Sequence, residues 1–132
     1  MLVQGGMRIA TALLEELIDR AASSPSREIC GLLSGTASRI ERAEPAANVA
    51  ADPAVRFELD PQALFAALRA ERAGGPRLIG HYHSHPSGSA VPSACDAAAA
   101  EPGRYWLILG GGAARLWLAR AGGFDEAVLT VD

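Results

Sequence analysis

Apolar residues recur at helical spacing between residues 11 and 22. Leu13, Leu14, Leu17, Ile18 and Ala21 fall on one stripe, which predicts an amphipathic helix. Ser23-Ser24-Pro25 ends it, and Met7-Arg8-Ile9 before it suits a short strand. Residues 28–34 read as a strand, with Gly35 turning into a second one over 38–43. Residues 44–53 carry two prolines and an asparagine and read as a loop, followed by a strand over 55–59. Asp60-Pro61 predicts a helix start, with Asp as N-cap and Pro at the first helical position. Leu64, Phe65, Ala67 and Leu68 form its expected buried stripe, and Gly74-Gly75-Pro76 its end. A central strand over 77–83 follows, then a short helix over 94–100. Strands over 105–109, 115–120 (exposed) and 127–131 complete the pattern. Gly110-Gly111-Gly112 lacks both a Lys-Ser/Thr ending and a following helix, so it predicts a hairpin turn rather than a phosphate loop. Mixed strands with three helices predict an α/β fold, helices packed on a central sheet.

Composition narrows this picture only slightly. A length of 132 residues suits one domain over residues 1–132, able to bury about two thirds of its unfolded surface. Much of the 49% hydrophobic content is alanine, so the core must rest on a limited set of Leu, Ile, Val, Phe and Trp. A net charge of −3 leaves no basic footprint for nucleic acid. No apolar run is long enough to span a bilayer, and the N-terminal residues lack a signal-peptide pattern. The expectation is a cytoplasmic protein with neither a nucleic-acid nor a membrane partner. Cys30 and Cys95 do not make a disulfide framework. Cys95, next to Asp96, reads as a small buried thiol, with a redox-sensitive neighbour as the alternative.

The chemistry concentrates in residues 80–96. Residues two apart in a strand share a face, about 6.6 Å apart, so His83 and His85 can converge on one ion through bonds of about 2 Å. Pro86 and Gly88 then break the strand. Ser93 reads as a helix N-cap, with Asp96 at the third helical position. A helix docked at the strand end could turn Asp96 toward the same ion. Two imidazoles and one carboxylate leave a fourth position open, as in catalytic rather than structural zinc. His81 shares the face but lies about 13 Å from His85 in an extended strand, so it is read as a supporting or packing residue. Each piece alone has a plainer reading: Ser-x-x-Asp is a capping-box pattern, and histidines at strand ends are commonly surface groups. The combination at fixed spacing favours the metal.

His83, His85, Pro86, Ser93 and Asp96 together resemble the JAMM/MPN+ metalloproteases. Their motif is a distant Glu, then His-x-His-Pro, six residues, Ser, two residues, Asp. Glu28-Ile29-Cys30-Gly31-Leu32-Leu33 is similar to the early strand that carries the Glu, and Asn48 with residues 56–61 extends the likeness. The chain looks most like the small single-domain prokaryotic members. The resemblance implies an α/β/α sandwich similar to cytidine deaminases, a central mixed β-sheet flanked by helices. It implies Zn2+ on His83, His85 and Asp96, Glu28 as general base and Ser93 as oxyanion donor. Spacing alone leaves Glu28 level with Glu41, Glu44 and Glu58. The implied activity is a peptidase or isopeptidase cutting after the C-terminal Gly-Gly tail of a ubiquitin-like or sulfur-carrier protein or its conjugate. The chain has no room for insertions that grip a ubiquitin chain, which favours a simple extended tail added as a strand. Oligomeric state is open, a homodimer included. The competing reading is a metal-free MPN scaffold without catalysis. A zinc deaminase is disfavoured, because Pro-Cys-x-x-Cys is absent and the ligand order differs.

Overall fold

The computed structural model describes residues 2–132, with side chains from Gly6 onward. Its elements in chain order are β1 (Leu2–Ile9), α1 (Thr11–Ala22), β2 (Cys30–Gly35), β3 (Arg39–Ala46), α2 (Pro61–Arg72), β4 (Arg77–Ser84), α3 (Ala94–Ala99), β5 (Tyr105–Gly110), β6 (Ala113–Arg120) and β7 (Gly123–Val131). The strands run β1-β3-β2-β4-β5-β6-β7 in one mixed sheet. The expected α/β class with a mixed sheet and helices is what forms. Beyond that expectation, β7 pairs parallel with β1, so the sheet closes on itself. Pairs β2–β3, β2–β4, β5–β6 and β6–β7 are antiparallel, whereas β4 and β5 are parallel and need a crossover. That crossover carries α3, and the β3-to-β4 connection carries α2.

The predicted stripe of α1 is the one that packs. Leu17 is fully buried, and Leu13, Leu14, Ile18 and Ala21 pack onto a core of Met7, Ile9, Leu33, Tyr82, Leu107 and Leu116. No helix among the described residues is long and apolar enough to cross a membrane.

Three local expectations differ. Residues 55–59 form no strand; only an isolated bridge joins Asn48 to Leu59. Asn48 is the cause, because its side chain takes the Arg56 carbonyl and the Glu58 N–H that a ladder would use. The α2 stripe is rotated. Leu64 and Phe65 are exposed at 36% and 58%, while Ala63, Ala67, Leu68 and Glu71 face inward. Two anchors set this rotation: the Asp60 cap accepts from Gln62 N–H at 3.0 Å, and the Glu71 carboxylate accepts from Leu78 N–H at 2.9 Å. Finally, β6 is not an exposed strand: Leu116 and Ala119 are buried on opposite faces, and Trp117 and Leu118 between them are half-buried.

Strand β4 divides the interior. Tyr82 faces the α1 side, where its hydroxyl accepts from Arg20 at 3.2 Å. His81 and His83 face a second cluster with Phe57 and Trp106. Tyr82 leaves no room on β2: a Cβ added at Gly31 would fall on its ring and on the Glu44 carbonyl. Gly31→Ala should therefore lower stability by about 1–3 kcal/mol through overpacking, seen as an earlier urea midpoint at unchanged slope. An unchanged midpoint would mean that the ring does not lie against Gly31.

Candidate metal centre

His83 is the next-to-last residue of β4, and His85 follows just past the strand. Ser84 between them turns the other way. Its hydroxyl accepts from Ile29 N–H at 2.9 Å, and its own N–H donates to the Ile29 carbonyl at 3.0 Å. This stitch holds the start of β2 against β4 and brings Glu28 beside the histidines. From the other side, α3 opens with a reciprocal cap. The Ser93 hydroxyl accepts from Asp96 N–H at 3.1 Å, and Asp96 Oδ2 accepts from Ser93 N–H at 2.9 Å. The same Oδ2 lies 3.2 Å from His83 Nε2 and 3.0 Å from His85 Nε2, and the two nitrogens are 3.0 Å apart.

The protonation pattern around this triangle decides what it is. His85 Nδ1 donates to the Ser89 carbonyl at 2.7 Å, so in the neutral ring Nε2 carries a lone pair aimed at the centre. His83 Nδ1 is buried without a hydrogen-bond partner among the described residues. A carboxylate oxygen and two imidazole nitrogens converge where their lone pairs repel, unless a proton or a cation lies between them. Donor atoms on a tetrahedral ion with bonds of 2.0–2.1 Å are about 3.3 Å apart, close to the spacing here. The donor set therefore fits a metal ion.

Charge follows the same logic. Burial opposes ionisation of Asp96, but hydrogen bonds from His83 and His85 outweigh it and hold the carboxyl well below the usual range. Burial pushes His83 toward the neutral form, against the pull of Asp96. At His85 burial also opposes charge, yet Asp96 and the Ser89 carbonyl outweigh it and raise the imidazole. Glu28 is 4% exposed, and burial pushes it up to about 7, with His85 opposing and Asp96 adding to the rise. Its Oε1 has no partner among the described residues. A Glu28 oxygen lies within 4.8 Å of the histidine nitrogens, a wider set than the Asp96 triangle.

Comparisons with known proteins identify the family. The family of prokaryotic homologs of the JAB domain matches residues 10–120. The chain belongs to this family. A desampylase of Haloferax volcanii is 41% identical over 100 residues, covering 74% of this chain and 72% of its own length. A Thermus thermophilus protein named a probable TtuB-protein conjugate cleaving protease is 34% identical over 123 residues, covering 93% of this chain and 81% of its own. Among solved structures, protein DSY2949 of Desulfitobacterium hafniense superposes with a TM-score of 0.82 at 29% identity, over 96% of this chain and 92% of that one.

Within this JAB domain the remaining candidates separate cleanly. His81 is not in the close triangle. It sits against Trp106 at 4.3 Å between ring centroids, with Phe57 at 5.6 Å, and burial holds its imidazole down at about 3. Phe57 also stacks on the His83 ring at 4.3 Å. Cys30 is buried, and burial pushes its thiol up to about 12, as expected of an inert core group. Cys95 is exposed, contrary to the buried thiol expected, because it lies on the outer side of α3 while Asp96 takes the inner one.

Two supporting residues carried no sequence signal of their own. Ser84 was hidden between the two histidines, and Ser89 acts only through its backbone. Asn48 was visible within the family likeness, but its task was not. Its amide donates to the Glu28 and Arg56 carbonyls at 2.9 and 3.1 Å, and its carbonyl accepts from Ala50 and Glu58 at 3.1 and 3.0 Å. With Glu28 N–H on the Pro53 carbonyl at 2.7 Å, this clamps the 49–58 loop against the Glu28 backbone. Asn48→Ala leaves these groups unpaired. It should cost about 1–3 kcal/mol and speed amide exchange selectively in residues 49–58. Unaltered exchange there would show that something else orders the loop.

Proposed function

We propose that this chain is a zinc-dependent isopeptidase of the cytoplasm. It cleaves after the C-terminal Gly-Gly of a ubiquitin-like or sulfur-carrier protein joined to another protein. The observation that carries this reading is the triangle of His83 Nε2, His85 Nε2 and Asp96 Oδ2 at 3.0–3.2 Å, with a buried carboxylate alongside. The two curated relatives support the substrate class, one named as a desampylase and the other for cleaving protein conjugates. A metal-free scaffold gives no reason to bury two imidazole nitrogens and a carboxylate oxygen against one another.

His83, His85 and Asp96 are the residues that would hold the zinc. When bound, zinc supplies a Lewis acid that polarises the scissile carbonyl and acidifies water at neutral pH. The chain's own residues do the rest. Glu28, raised toward neutrality by burial, is suited to take a proton from the attacking water and return it to the departing amine. Ser93 uses its oxygen to accept the Asp96 N–H, which leaves the hydroxyl proton free for the oxyanion. Capping and catalysis therefore do not compete for the same lone pair and proton. Beside these groups runs a cleft of about 280 Å³ between Val55, Val91 and the prolines Pro86 and Pro92. Its apolar walls suit an extended glycine tail.

The test is cleavage of Gly-Gly-tailed fusion proteins, read by intact mass with and without chelator. Chelator should abolish cleavage, and added zinc should restore it. His85→Ala and Asp96→Ala should lose the metal, whereas His81→Ala should keep it. Glu28→Gln should bind zinc and substrate normally while single-turnover cleavage falls by roughly 10²–10⁴. Ser93→Ala should keep zinc and lose about 10²–10³ in rate. Wild-type turnover by Glu28→Gln at matched zinc would contradict the mechanism. Zinc-free wild-type protein after refolding with zinc would contradict the metal centre itself.

A further inference from the structure

The chemistry above leaves one part of the molecule without a task, the β5–β6 hairpin with its Gly110-Gly111-Gly112 turn and Trp117. Both features press on residues 86–91, the segment that leaves His85 for α3. At the turn, backbone lies directly on backbone. A Cβ added at Gly110 would stand 2.9 Å from the Gly88 carbonyl carbon and 2.9 Å from both the carbon and oxygen of the Ser89 carbonyl. One added at Gly111 would stand 2.9 Å from the Gly88 oxygen, and Gly111 also has a φ of +60 that favours glycine. Past Ser89, the Trp117 indole N–H donates to the Ala90 carbonyl at 3.0 Å. The Arg115 guanidinium lies over the Trp117 ring at 4.9 Å. Ser89 is thus held between a glycine floor and an indole anchor. Its carbonyl is the acceptor for His85 Nδ1 at 2.7 Å, and the His85 N–H is itself tied to the β5 carbonyl of Leu109 at 2.8 Å.

We propose that the β5–β6 hairpin positions His85: Gly110, Gly111 and Trp117 hold the Ser89 carbonyl so that it selects the Nδ1–H tautomer and turns Nε2 toward His83 and Asp96. Neutral imidazole is free to carry its proton on either nitrogen, and the Ser89 carbonyl at Nδ1 competes for it with the Asp96 carboxylate 3.0 Å from Nε2, so the carbonyl must be held firmly. A carbonyl on a mobile loop would exchange this bond with water, and His85 would then spend part of its time with a proton where its lone pair is needed. Trp117 and Gly110 touch neither the ligand atoms nor the cleft, so they are positioning residues. The consequence for metal affinity rests on the zinc reading given above; the tautomer does not.

Trp117→Phe keeps an aromatic ring and removes the indole N–H that Ala90 accepts. Gly110→Ala pushes the Ser89 carbonyl from the opposite side while leaving Trp117 intact. Arg120→Gln, on the same strand but paired with Asp125 away from the loop, is the control. The first readout is the ring-nitrogen NMR of His85 in metal-free protein, followed from a pH of about 7 to about 10 because, against burial, Asp96 and the Ser89 carbonyl raise this imidazole. Wild type and control should keep a proton on Nδ1 throughout, and both test variants should shift it toward Nε2, where Asp96 Oδ2 lies at 3.0 Å. The second is zinc affinity by chelator competition, expected to weaken about 10–100-fold in the test variants only. The Co2+-substituted protein should show a shifted visible band in parallel. Melting of the metal-free proteins identifies folded variants, and Gly110→Ala carries the test if Trp117→Phe does not fold. An unmixed Nδ1–H tautomer and wild-type affinity in a folded variant would overturn the proposal. Mixed tautomers in a protein whose wild type takes up no zinc would uphold the positioning and overturn the zinc reading instead.

Discussion

Two imidazole nitrogens and a carboxylate oxygen drawn within 3.2 Å of one another are the constraint on which the rest of this structure depends. Left to themselves, two imidazole lone pairs and a carboxylate oxygen separate. Here they are buried, and each is oriented by a different part of the chain. His83 is fixed by its place in β4 and by Phe57 stacked on its ring. His85 is fixed through Nδ1 on the Ser89 carbonyl. Asp96 is fixed by the first turn of α3. The protein stabilises this arrangement with its own backbone, and a cation at the centre turns the remaining repulsion into attraction. A buried charge cluster is otherwise a cost, which is why its survival in a small domain points to use rather than to stability.

The economy of the site lies in groups that serve twice. The Ser93–Asp96 cap satisfies backbone donors at the start of a six-residue helix and at the same time aims Oδ2 at the histidines. A helix this short has little intrinsic stability, so the cap and the docking of Asp96 hold it together. Ser84 pairs the strand that carries the ligands with the segment that carries Glu28. Burial of Glu28 lifts its carboxyl to about 7, while Asp96, bonded to the histidines, is held far lower. Two carboxyl groups beside the same histidines thereby acquire different proton affinities through environment alone.

Most of the framework was legible in the sequence because it rests on short-range rules. Helical spacing from Leu13 to Ala21, Asp60-Pro61 before α2 and the glycine turn after β5 each mark an element locally. The cluster of His83, His85 and Asp96 was legible because a strand period of two and a capping box fix relative directions within a few residues. What escaped depended on distant partners. Residues 55–59 had a strand's composition, but Asn48 took over their backbone groups. Leu64 and Phe65 looked like a core stripe, but the rotation of α2 is set by its two ends. Cys95 could not be placed until α3 was known to turn Asp96, and not its neighbour, inward. Glu28 was legible only through family likeness, since nothing local distinguishes it from Glu41, Glu44 or Glu58.

The most direct test of the central claim is X-ray absorption at the zinc edge of the loaded protein. The account predicts one zinc per chain in a four-coordinate shell of nitrogen and oxygen only, at about 2.0–2.1 Å, with the outer-ring scattering of two imidazoles. A sulfur scatterer at about 2.3 Å, a single imidazole, or a six-coordinate oxygen shell would place the ion elsewhere and contradict it.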